Sequence, residues 1–115
     1  MRYQMKLNSR EFLRMKTGEK TLEYRLYDEK RREIKIVDEI EFLRLPYLDE
    51  TILTKVDELH IYKTWLECYK KFFKEDLIKF YKNTKEVVDD TYNNLYSKEE
   101  EQKYGCVAIR IRRVK

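Results

Sequence analysis

The segment at residues 18–25, which reads GEKTLEYR, carries five residues that can form a site for a polar ligand: Gly18, Lys20, Thr21, Glu23 and Arg25. Gly18 permits a tight turn, and Lys20 follows at the mouth of that turn. Glu23 and Arg25 come next. A carboxylate between two cations in a cleft can bind a ligand amide or a base edge, while the cations meet a phosphate. This segment is the candidate ligand-binding site.

The residues after the turn alternate between apolar and polar types, which predicts a half-buried strand over Thr21–Leu26. In such a strand Thr21, Glu23 and Arg25 project from one face, with neighbours about 6.6–7 Å apart. The alternative interpretation is a solvated ladder in which Glu23 pairs with Arg25 or Lys20. Exposed pairs of this kind add little stability. The residue types alone do not decide between the two.

Two further sets of arginines are candidates for contacts with a nucleic-acid backbone. Arg31 and Arg32 belong to the charged segment YDEKRREI, which is interpreted equally well as a solvated turn. Arg110 and Arg112 share one face of the last predicted strand, so they can follow successive phosphates.

The net charge of +4 conceals an uneven distribution. Residues 1–35 carry 11 basic and 6 acidic side chains, a balance of +5. Residues 36–101 carry 10 and 16, a balance of −6, and residues 102–115 carry 5 and none, a balance of +5. If the two basic ends meet in space, they form a polyanion-binding face. The alternative is a solvated surface with uneven charge.

Composition limits the class of protein. A chain of 115 residues predicts one domain over residues 1–115. Charged residues make up 42%, and a hydrophobic fraction of 42% argues against disorder. The absence of long apolar runs and of an apolar signal-peptide core predicts a cytoplasmic protein with no membrane partner. Cys68 and Cys106 lack metal-site spacing, so we expect buried free thiols, no metal and no cofactor.

The elements around the candidate site follow from caps and periodicity. Asn8 and Ser9 can cap a helix over Glu11–Lys16 that ends at Gly18. Alternating apolar residues predict three further strands, around Ile40–Leu43, from Ile52 or Leu53 to Tyr62, and over Val107–Ile111.

The middle of the chain has helical periodicity. Capping boxes at Thr64–Glu67 and Ser97–Glu100 open two helices. The first should bury Leu66, Tyr69, Phe72 and Phe73. A short helical piece is expected over Leu77–Tyr81, and another helix runs from about Lys85 to Tyr96.

Two aromatic residues carry weaker alternatives. Trp65 is expected to pack in the core, with base stacking as the alternative. His60, the single histidine, is expected to be a hydrogen-bonded wall residue rather than a catalyst.

This order of elements predicts an α+β domain built as a small antiparallel β-barrel with flanking helices. The strand that carries Arg25 and the last strand are expected to be neighbours in the sheet. That pairing would bring the two basic blocks together.

The motif G-x-K-x-x-E-x-R at residues 18–25 resembles the signature of ASCH domains, small members of the PUA-like superfamily. The segments Tyr62–Leu66 and Tyr96–Ile109 resemble the family's strand-to-helix junction and its C-terminal helix with closing strand. One departure is Val37-Asp38, where the family commonly has Gly-Asp in the turn before a strand.

The resemblance implies a PUA-like barrel with a cleft lined by the motif, and RNA or a modified nucleotide as partner. Some small bacterial ASCH proteins resemble amidohydrolases that deacetylate N4-acetylcytidine with a Lys, a Thr and a distant Glu. Lys20 matches the catalytic Lys, the Thr position falls on Glu23, and Glu75 is the nearest candidate for the distant Glu.

Three hypotheses therefore follow. The first is an RNA- or nucleotide-binding module in RNA metabolism. The second is an amidohydrolase that uses Lys20, Glu23 and Glu75. The third is a structural interaction module. Glu at position 23 in place of Thr favours binding over hydrolysis.

Overall fold

The computed structural model describes residues 1–114, which form five strands and five α-helices, and the α+β expectation is confirmed. In chain order the elements are β1 (Arg2–Leu7), α1 (Ser9–Lys16), β2 (Leu22–Leu26), α2 (Glu29–Arg32), β3 (Glu39–Arg44), β4 (Thr51–Tyr62), α3 (Trp65–Phe72), a 3-10 turn (Leu77–Lys79), α4 (Thr84–Asn94), α5 (Lys98–Tyr104) and β5 (Cys106–Arg113). Among these described residues, no helix has the length and apolar character needed to cross a bilayer.

The strands form one sheet in the order β1-β3-β4-β5-β2. The predicted neighbourhood of β2 and β5 is confirmed. The prediction of a purely antiparallel sheet is wrong, because β1 pairs with β3 in parallel while β3 and β4 are antiparallel. A parallel pair needs a long crossover connection, and residues 8–38 supply it.

Contacts divide the chain into two compact units. Unit 1 consists of Met1–Glu23, Ile34–Leu59 and the chain from Ile109 onward. Unit 2 consists of Tyr24–Glu33 and His60–Ala108. The motif at residues 18–25 therefore contributes Gly18 to Glu23 to unit 1, and Arg25 to unit 2.

Strand β1, which the sequence analysis did not predict, fixes one side of unit 1. Its register places Met5 opposite Phe42, and both side chains are buried. On the other face, Gln4 Nε2 donates to Glu41 Oε1 at 2.8 Å. The two faces of β1 thus specify one register, since a slip of one residue would exchange them.

The core of unit 1 lies between the sheet and α1. Helix α1 buries Phe12 and Met15. Strand β4 contributes Val56 and the buried Thr54, whose hydroxyl donates to Ile40 O at 2.8 Å. This bond satisfies the hydroxyl in an otherwise apolar interior.

The core of unit 2 is built on aromatic rings. Trp65 is fully buried and stacks on Tyr69 and Tyr96, with ring centroids 5.5 Å apart in each pair. Tyr69 Oη and Thr91 Oγ1 are joined by a hydrogen bond of 2.7 Å between α3 and α4. The expectation that Trp65 packs in the core is confirmed, and a buried ring has no face left for a base.

A buried carboxylate ties the helices of unit 2 together. Glu101 accepts a hydrogen bond from Trp65 N at 2.7 Å and from Tyr92 Oη at 2.6 Å. It lies on α5, which opens with the predicted capping box at Ser97. One side chain thus links the start of α3 to α4 and α5.

The predicted capping box at α3 forms in a different way. Thr64 Oγ1 caps Glu67 N as expected, but the Glu67 carboxylate accepts from the Thr64 hydroxyl. The buried face of α3 also differs, since Cys68 is buried whereas Leu66 is 43% exposed. The prediction that Leu66 belongs to the core is wrong, because Trp65 takes the buried position at the first turn.

Cys68 and Cys106 are buried free thiols, as predicted. Cys106 Sγ donates to Thr64 O at 3.4 Å. Hydrogen bonding to Cys68, followed by burial, raises the pKa of the Cys106 thiol.

The turn before β3 holds a valine in an unfavourable backbone conformation. Val37 has a φ of 68°, in the left-handed region where β-branched residues are rare. Its N–H donates to Val56 O at 2.8 Å, and Asp38 Oδ2 accepts from Lys35 N at 2.9 Å. These bonds hold the turn in shape despite the side chain at position 37.

Replacing Val37 with glycine should therefore stabilise the protein. The exposed side chain contributes little burial, and removing it relieves backbone strain of about 1–3 kcal/mol. Extra flexibility of the unfolded chain offsets about 0.4–1 kcal/mol of that gain. We expect the free energy of unfolding of Val37→Gly to rise by about 1 kcal/mol in urea denaturation.

The matched control is Ile36→Gly at the preceding exposed position. Among the described non-glycine residues, positive φ occurs at Val37 and Leu48 alone. A glycine at position 36 should consequently lower stability by about 0.5–1 kcal/mol. Equal losses in the two variants would contradict the strain at Val37.

Candidate functional site

The turn after α1 delivers Lys20 to the interior of unit 1. Asn8 caps the helix by accepting from Glu11 N at 2.9 Å, as the sequence predicts. Gly18 ends the turn with a φ of 85°, and Lys20 N then donates to Arg14 O at 3.0 Å. The backbone of Lys20 is thereby fastened to the helix it has just left.

A buried cluster of charges forms around the Lys20 side chain. The ammonium donates to Leu22 O at 2.7 Å and lies 3.3 Å from Glu11 Oε2 and 3.3 Å from Glu23 Oε1. Lys20 and Glu23 are only 5% and 6% exposed. Lys20, Glu11 and Glu23 are called the Lys20 cluster below.

Arginine and a further carboxylate extend this cluster along α1. Arg14 Nη1 donates to Glu11 Oε2 at 3.0 Å, and Arg14 Nε lies 3.6 Å from Glu19 Oε1. Glu11 therefore touches both Lys20 and Arg14. Alternation of positive and negative groups compensates the charges where water is scarce.

The contacts of the Lys20 ammonium indicate that this residue holds other groups of the protein in place. An ammonium has three N–H donors, and three protein oxygens surround this one. Lys20 thus acts on Glu23, whose carboxylate it fixes in position. Buried carboxylates held in this way accept hydrogen bonds in a defined direction.

Sequence reasoning identified Lys20 and Glu23 but missed Glu11. The signal was available, because Glu11 stands three residues before Arg14 on one helical face and α1 ends directly at the motif. Sequence distance concealed the contact, since Glu11 precedes Lys20 by nine positions.

The remaining motif residues of unit 1 lie at the surface. Gly18 and Thr21 are both exposed. Thr21 O accepts from Ile111 N at 2.9 Å, which connects the motif to the end of β5. Adding a Cβ at Gly18 would meet nothing within 4 Å, so glycine is required there by its φ rather than by space.

Arg25 and Glu75, two of the predicted site residues in unit 2, occupy different elements. Arg25 is half-buried on β2, and Glu75 is exposed in the turn after α3. The buried acid of that turn is Asp76, which sequence reasoning did not single out. Tyr24 Oη donates to Asp76 Oδ2 at 2.7 Å.

Tyr24 lies among aromatic rings in unit 2. Its ring contacts Tyr69 and Phe72 edge to face, at centroid distances of 5.5 and 6.3 Å. Burial, reinforced by the charge and hydrogen bond of Asp76, raises the pKa of the Tyr24 phenol. His60, half-buried, packs edge to face against Phe72 at 5.2 Å, as expected for a wall residue.

The two predicted phosphate-binding arginines of unit 2 make contacts within that unit. Arg31 Nη1 pairs with Asp28 Oδ2 at 3.0 Å. Arg32 Nη2 donates to Tyr104 O at 3.1 Å, and its guanidinium lies 4.5 Å from the centre of the Tyr27 ring. Arg32 thus satisfies a carbonyl at the end of α5.

The two predicted phosphate-binding arginines of unit 1 are paired across strands. Arg110 Nε donates to Glu58 Oε1 at 2.8 Å, and Arg112 Nε donates to Asp57 Oδ1 at 2.9 Å. A phosphate would have to compete with these carboxylates, although exposed pairs are weak enough to exchange.

A metal site within residues 1–114 would need several side chains that bind the ion together. No group of three or more His, Cys, Asp or Glu side chains is placed to hold a metal ion there. The charged groups of the Lys20 cluster are matched with one another instead.

Three tyrosines of unit 2, of which Tyr69 is buried and Tyr24 and Tyr92 are partly buried, should make the free energy of unfolding fall in alkaline solution. The pKa is raised by burial in Tyr24 and Tyr69, and reaches about 12 in Tyr92 through burial and then Glu101. Above the ordinary value of about 10, the unfolded chain loses these protons while the folded protein keeps them. The free energy of unfolding should thus fall by about 1.4 kcal/mol per pH unit for each phenol, until the folded-state pKa is reached.

Tyr24→Phe should make this decline shallower, by an amount that approaches one proton as the pH rises above about 10, as measured by urea denaturation between about pH 9 and pH 11.5. Tyr47→Phe is the control, because Tyr47 is 84% exposed and should leave the slope unchanged. Identical slopes in wild type and Tyr24→Phe would contradict the effect of burial at Tyr24.

Two solved structures are similar to this chain over its full length. No family model and no curated protein matches the chain. The crystal structure of hypothetical protein PH0355 is similar, with 35% identity, coverage of 99% of this chain and 100% of that chain, and a TM-score of 0.84. The solution NMR structure of protein PF0455 from Pyrococcus furiosus has 32% identity, covers 100% and 99%, and has a TM-score of 0.76. With such identity over the full length, the chain belongs to the family of proteins that contains PH0355 and PF0455.

Proposed function

We propose that this protein is an ASCH domain of the PUA-like superfamily, with a β-barrel fold, that binds RNA or a nucleotide through the motif at residues 18–25. The motif supplies Glu23 for the base and Arg25 for a phosphate. The four arginines Arg31, Arg32, Arg110 and Arg112 supply further backbone contacts. A pair of buried thiols suits a reducing, cytoplasmic location in RNA metabolism.

The observation that carries the proposal is the burial of Glu23 against Lys20. Taking two charges out of water costs several kcal/mol per ion, and well-packed apolar residues stabilise a core as well or better. A buried pair is therefore weak evidence of a stabilising role, and we interpret Glu23 as a group held in place for binding. The Lys20 cluster is placed directly after the glycine turn of the motif.

A fixed carboxylate suits a base that presents N–H groups. Glu and Asp accept a hydrogen bond from the exocyclic amine of cytosine, and an amide N–H offers the same donor. Lys20, with its N–H groups directed at protein oxygens, holds Glu23 in position for that bond. The phosphate-binding role therefore falls to Arg25 and the surface arginines.

Val37 gives the family resemblance a second, independent support. ASCH domains commonly have Gly-Asp where this chain has Val37-Asp38. Val37 has the positive φ that favours glycine, so the backbone keeps a glycine-type turn. The sequence departs from the family pattern here, although the backbone at Val37 has a φ of the kind that glycine favours.

The direct test replaces Glu23 by its uncharged isostere. In filter binding against transfer RNA and single-stranded RNA, Glu23→Gln should weaken binding roughly tenfold or more, since a hydrogen bond to a charged group contributes about 1.5–3 kcal/mol. Glu19→Gln removes a nearby exposed carboxylate and should bind as wild type. Lys20→Ala combined with Arg25→Ala should bind more weakly still.

Absence of RNA binding at low salt would overturn the proposal. Binding that is equal in wild type, Glu23→Gln and the Lys20/Arg25 variant would favour a structural interaction module instead.

The amidohydrolase alternative makes an opposite prediction. A lysine that acts as base or nucleophile needs a free lone pair, whereas the Lys20 ammonium lies against two carboxylates and a carbonyl. We expect no loss of the acetyl chromophore of N4-acetylcytidine at high protein concentration. Turnover that disappears in Lys20→Met would establish hydrolysis and overturn this expectation.

A further inference from the structure

A basic surface lies within the acidic part of the chain. Residues 36–101 have a balance of −6, yet residues 63–82 carry 6 lysines against 3 acidic residues, a balance of +3. The six lysines, called the lysine surface below, are Lys63, Lys70, Lys71, Lys74, Lys79 and Lys82. All six belong to unit 2 and all are exposed.

The side chains of the lysine surface have no partners among residues 1–114. None of the six forms an ion pair or a side-chain hydrogen bond there. Lysines elsewhere are paired: Lys16 Nζ lies 3.2 Å from Glu50 Oε2, and Lys85 Nζ lies 2.7 Å from Asp89 Oδ2. One of the three acids in the same stretch, Asp76, is buried and takes the Tyr24 hydroxyl, so it offers the lysines no counter-charge at the surface.

Lys70 and Lys71 lie on α3, Lys63 precedes that helix, and the other three lysines lie in the segment after it. Helical hydrogen bonding continues past the end of α3, since Asp76 N donates to Phe72 O at 3.0 Å. Lys70 lies in the last turn of α3, and Lys74 follows two residues after the end of that helix. Helix α3 buries Cys68 and Phe72 in the core of unit 2.

Apolar side chains are exposed between these lysines. Ile78 is 55% exposed and Phe80 is 37% exposed, on either side of Lys79. Unpaired cations interleaved with an aromatic ring are what a single-stranded nucleic acid requires, because phosphates meet the cations and bases stack on the ring.

We propose that the lysine surface is a second contact region for single-stranded RNA, with the lysines on phosphates and Phe80 under a base. The inference rests on the proposed RNA-binding function and extends it to residues outside the motif. Charge complementarity carries it: these six cations lack partners, whereas each arginine predicted from the sequence already has one.

The salt dependence of binding tests the lysine contacts. Each phosphate contact on a single strand contributes about 0.7 to the slope of log K against log salt. In fluorescence anisotropy with an oligouridine of about 16 nucleotides, Lys70→Gln/Lys74→Gln/Lys79→Gln should lower the magnitude of that slope by about 2.

The control variant removes the same charge from other sites. Lys16→Gln/Lys35→Gln/Lys85→Gln alters three exposed lysines outside the lysine surface and should leave the slope close to that of wild type. Equal slope changes in the two triple variants would overturn the proposal and indicate a dependence on net charge alone.

Phe80→Leu separates stacking from a general apolar contact. Loss of base stacking should weaken oligouridine binding about fivefold or more. Leucine preserves apolar area, so partition into phosphatidylglycerol vesicles would survive the change. Vesicle binding stronger than RNA binding, abolished in the lysine triple variant and retained in Phe80→Leu, would assign this surface to lipid and overturn the RNA proposal.

The outcomes also separate this inference from the function proposed above. If the lysine triple variant lowers the slope while Glu23→Gln binds as wild type, the lysine surface stands and the motif site fails. If Glu23→Gln weakens binding while both triple variants keep the wild-type slope, the motif site stands and the lysine surface fails. A wild-type protein that binds no RNA would overturn both.

Discussion

A buried ammonium must be surrounded by acceptor oxygens, and this requirement explains how unit 1 is arranged around Lys20. The glycine turn returns the chain to α1, whose Glu11 supplies one acceptor. The strand that follows supplies Leu22 O and Glu23. Helix, turn and strand must all be in place before the charge is compensated, so the cluster couples their folding. Removing the Glu23 carboxylate would break the buried ion pair with Lys20, which costs about 3–5 kcal/mol.

Unit 2 contains a buried carboxylate, which needs hydrogen-bond donors around it as the buried ammonium needs acceptors. Glu101 must be surrounded by donors, and it finds them in Trp65 N and the Tyr92 hydroxyl. The tryptophan whose backbone serves as donor also places its ring between Tyr69 and Tyr96. Trp65, the first residue of α3, thus makes a polar contact through its backbone and aromatic contacts through its ring. In each unit, a buried charged side chain thus joins several elements: Lys20 in unit 1 and Glu101 in unit 2.

The parts of the fold that sequence predicted are those with local causes. The caps at Asn8 and Ser97 and the turn at Gly18 each depend on a few neighbouring residues. Long-range choices were less accessible. Residues 2–7 alternate as a strand does, but nothing local says that β1 pairs with β3 in parallel.

The candidate site divides in the same way. Motif spacing pointed to Lys20 and Glu23, because both lie within one turn and strand. The contribution of Glu11 depends on how α1 lies against that strand, which local pattern does not encode. Helical periodicity assigned Leu66 to the core. In a short helix, a shift of the pattern by one residue exchanges the buried and exposed sides, and here Trp65 is buried while Leu66 is exposed. Which cations have acidic or carbonyl partners, as the four arginines do, is also decided by tertiary contacts.

The two thiols of unit 2 give this protein a native reporter of its own motion. Cys68 and Cys106 are fully buried, and the raised pKa of the Cys106 thiol keeps it from forming the thiolate that alkylating reagents attack. Neither sulfur can react until the helices around it separate. The rate of alkylation under native conditions therefore measures the free energy of opening of the interior of unit 2, without any introduced label.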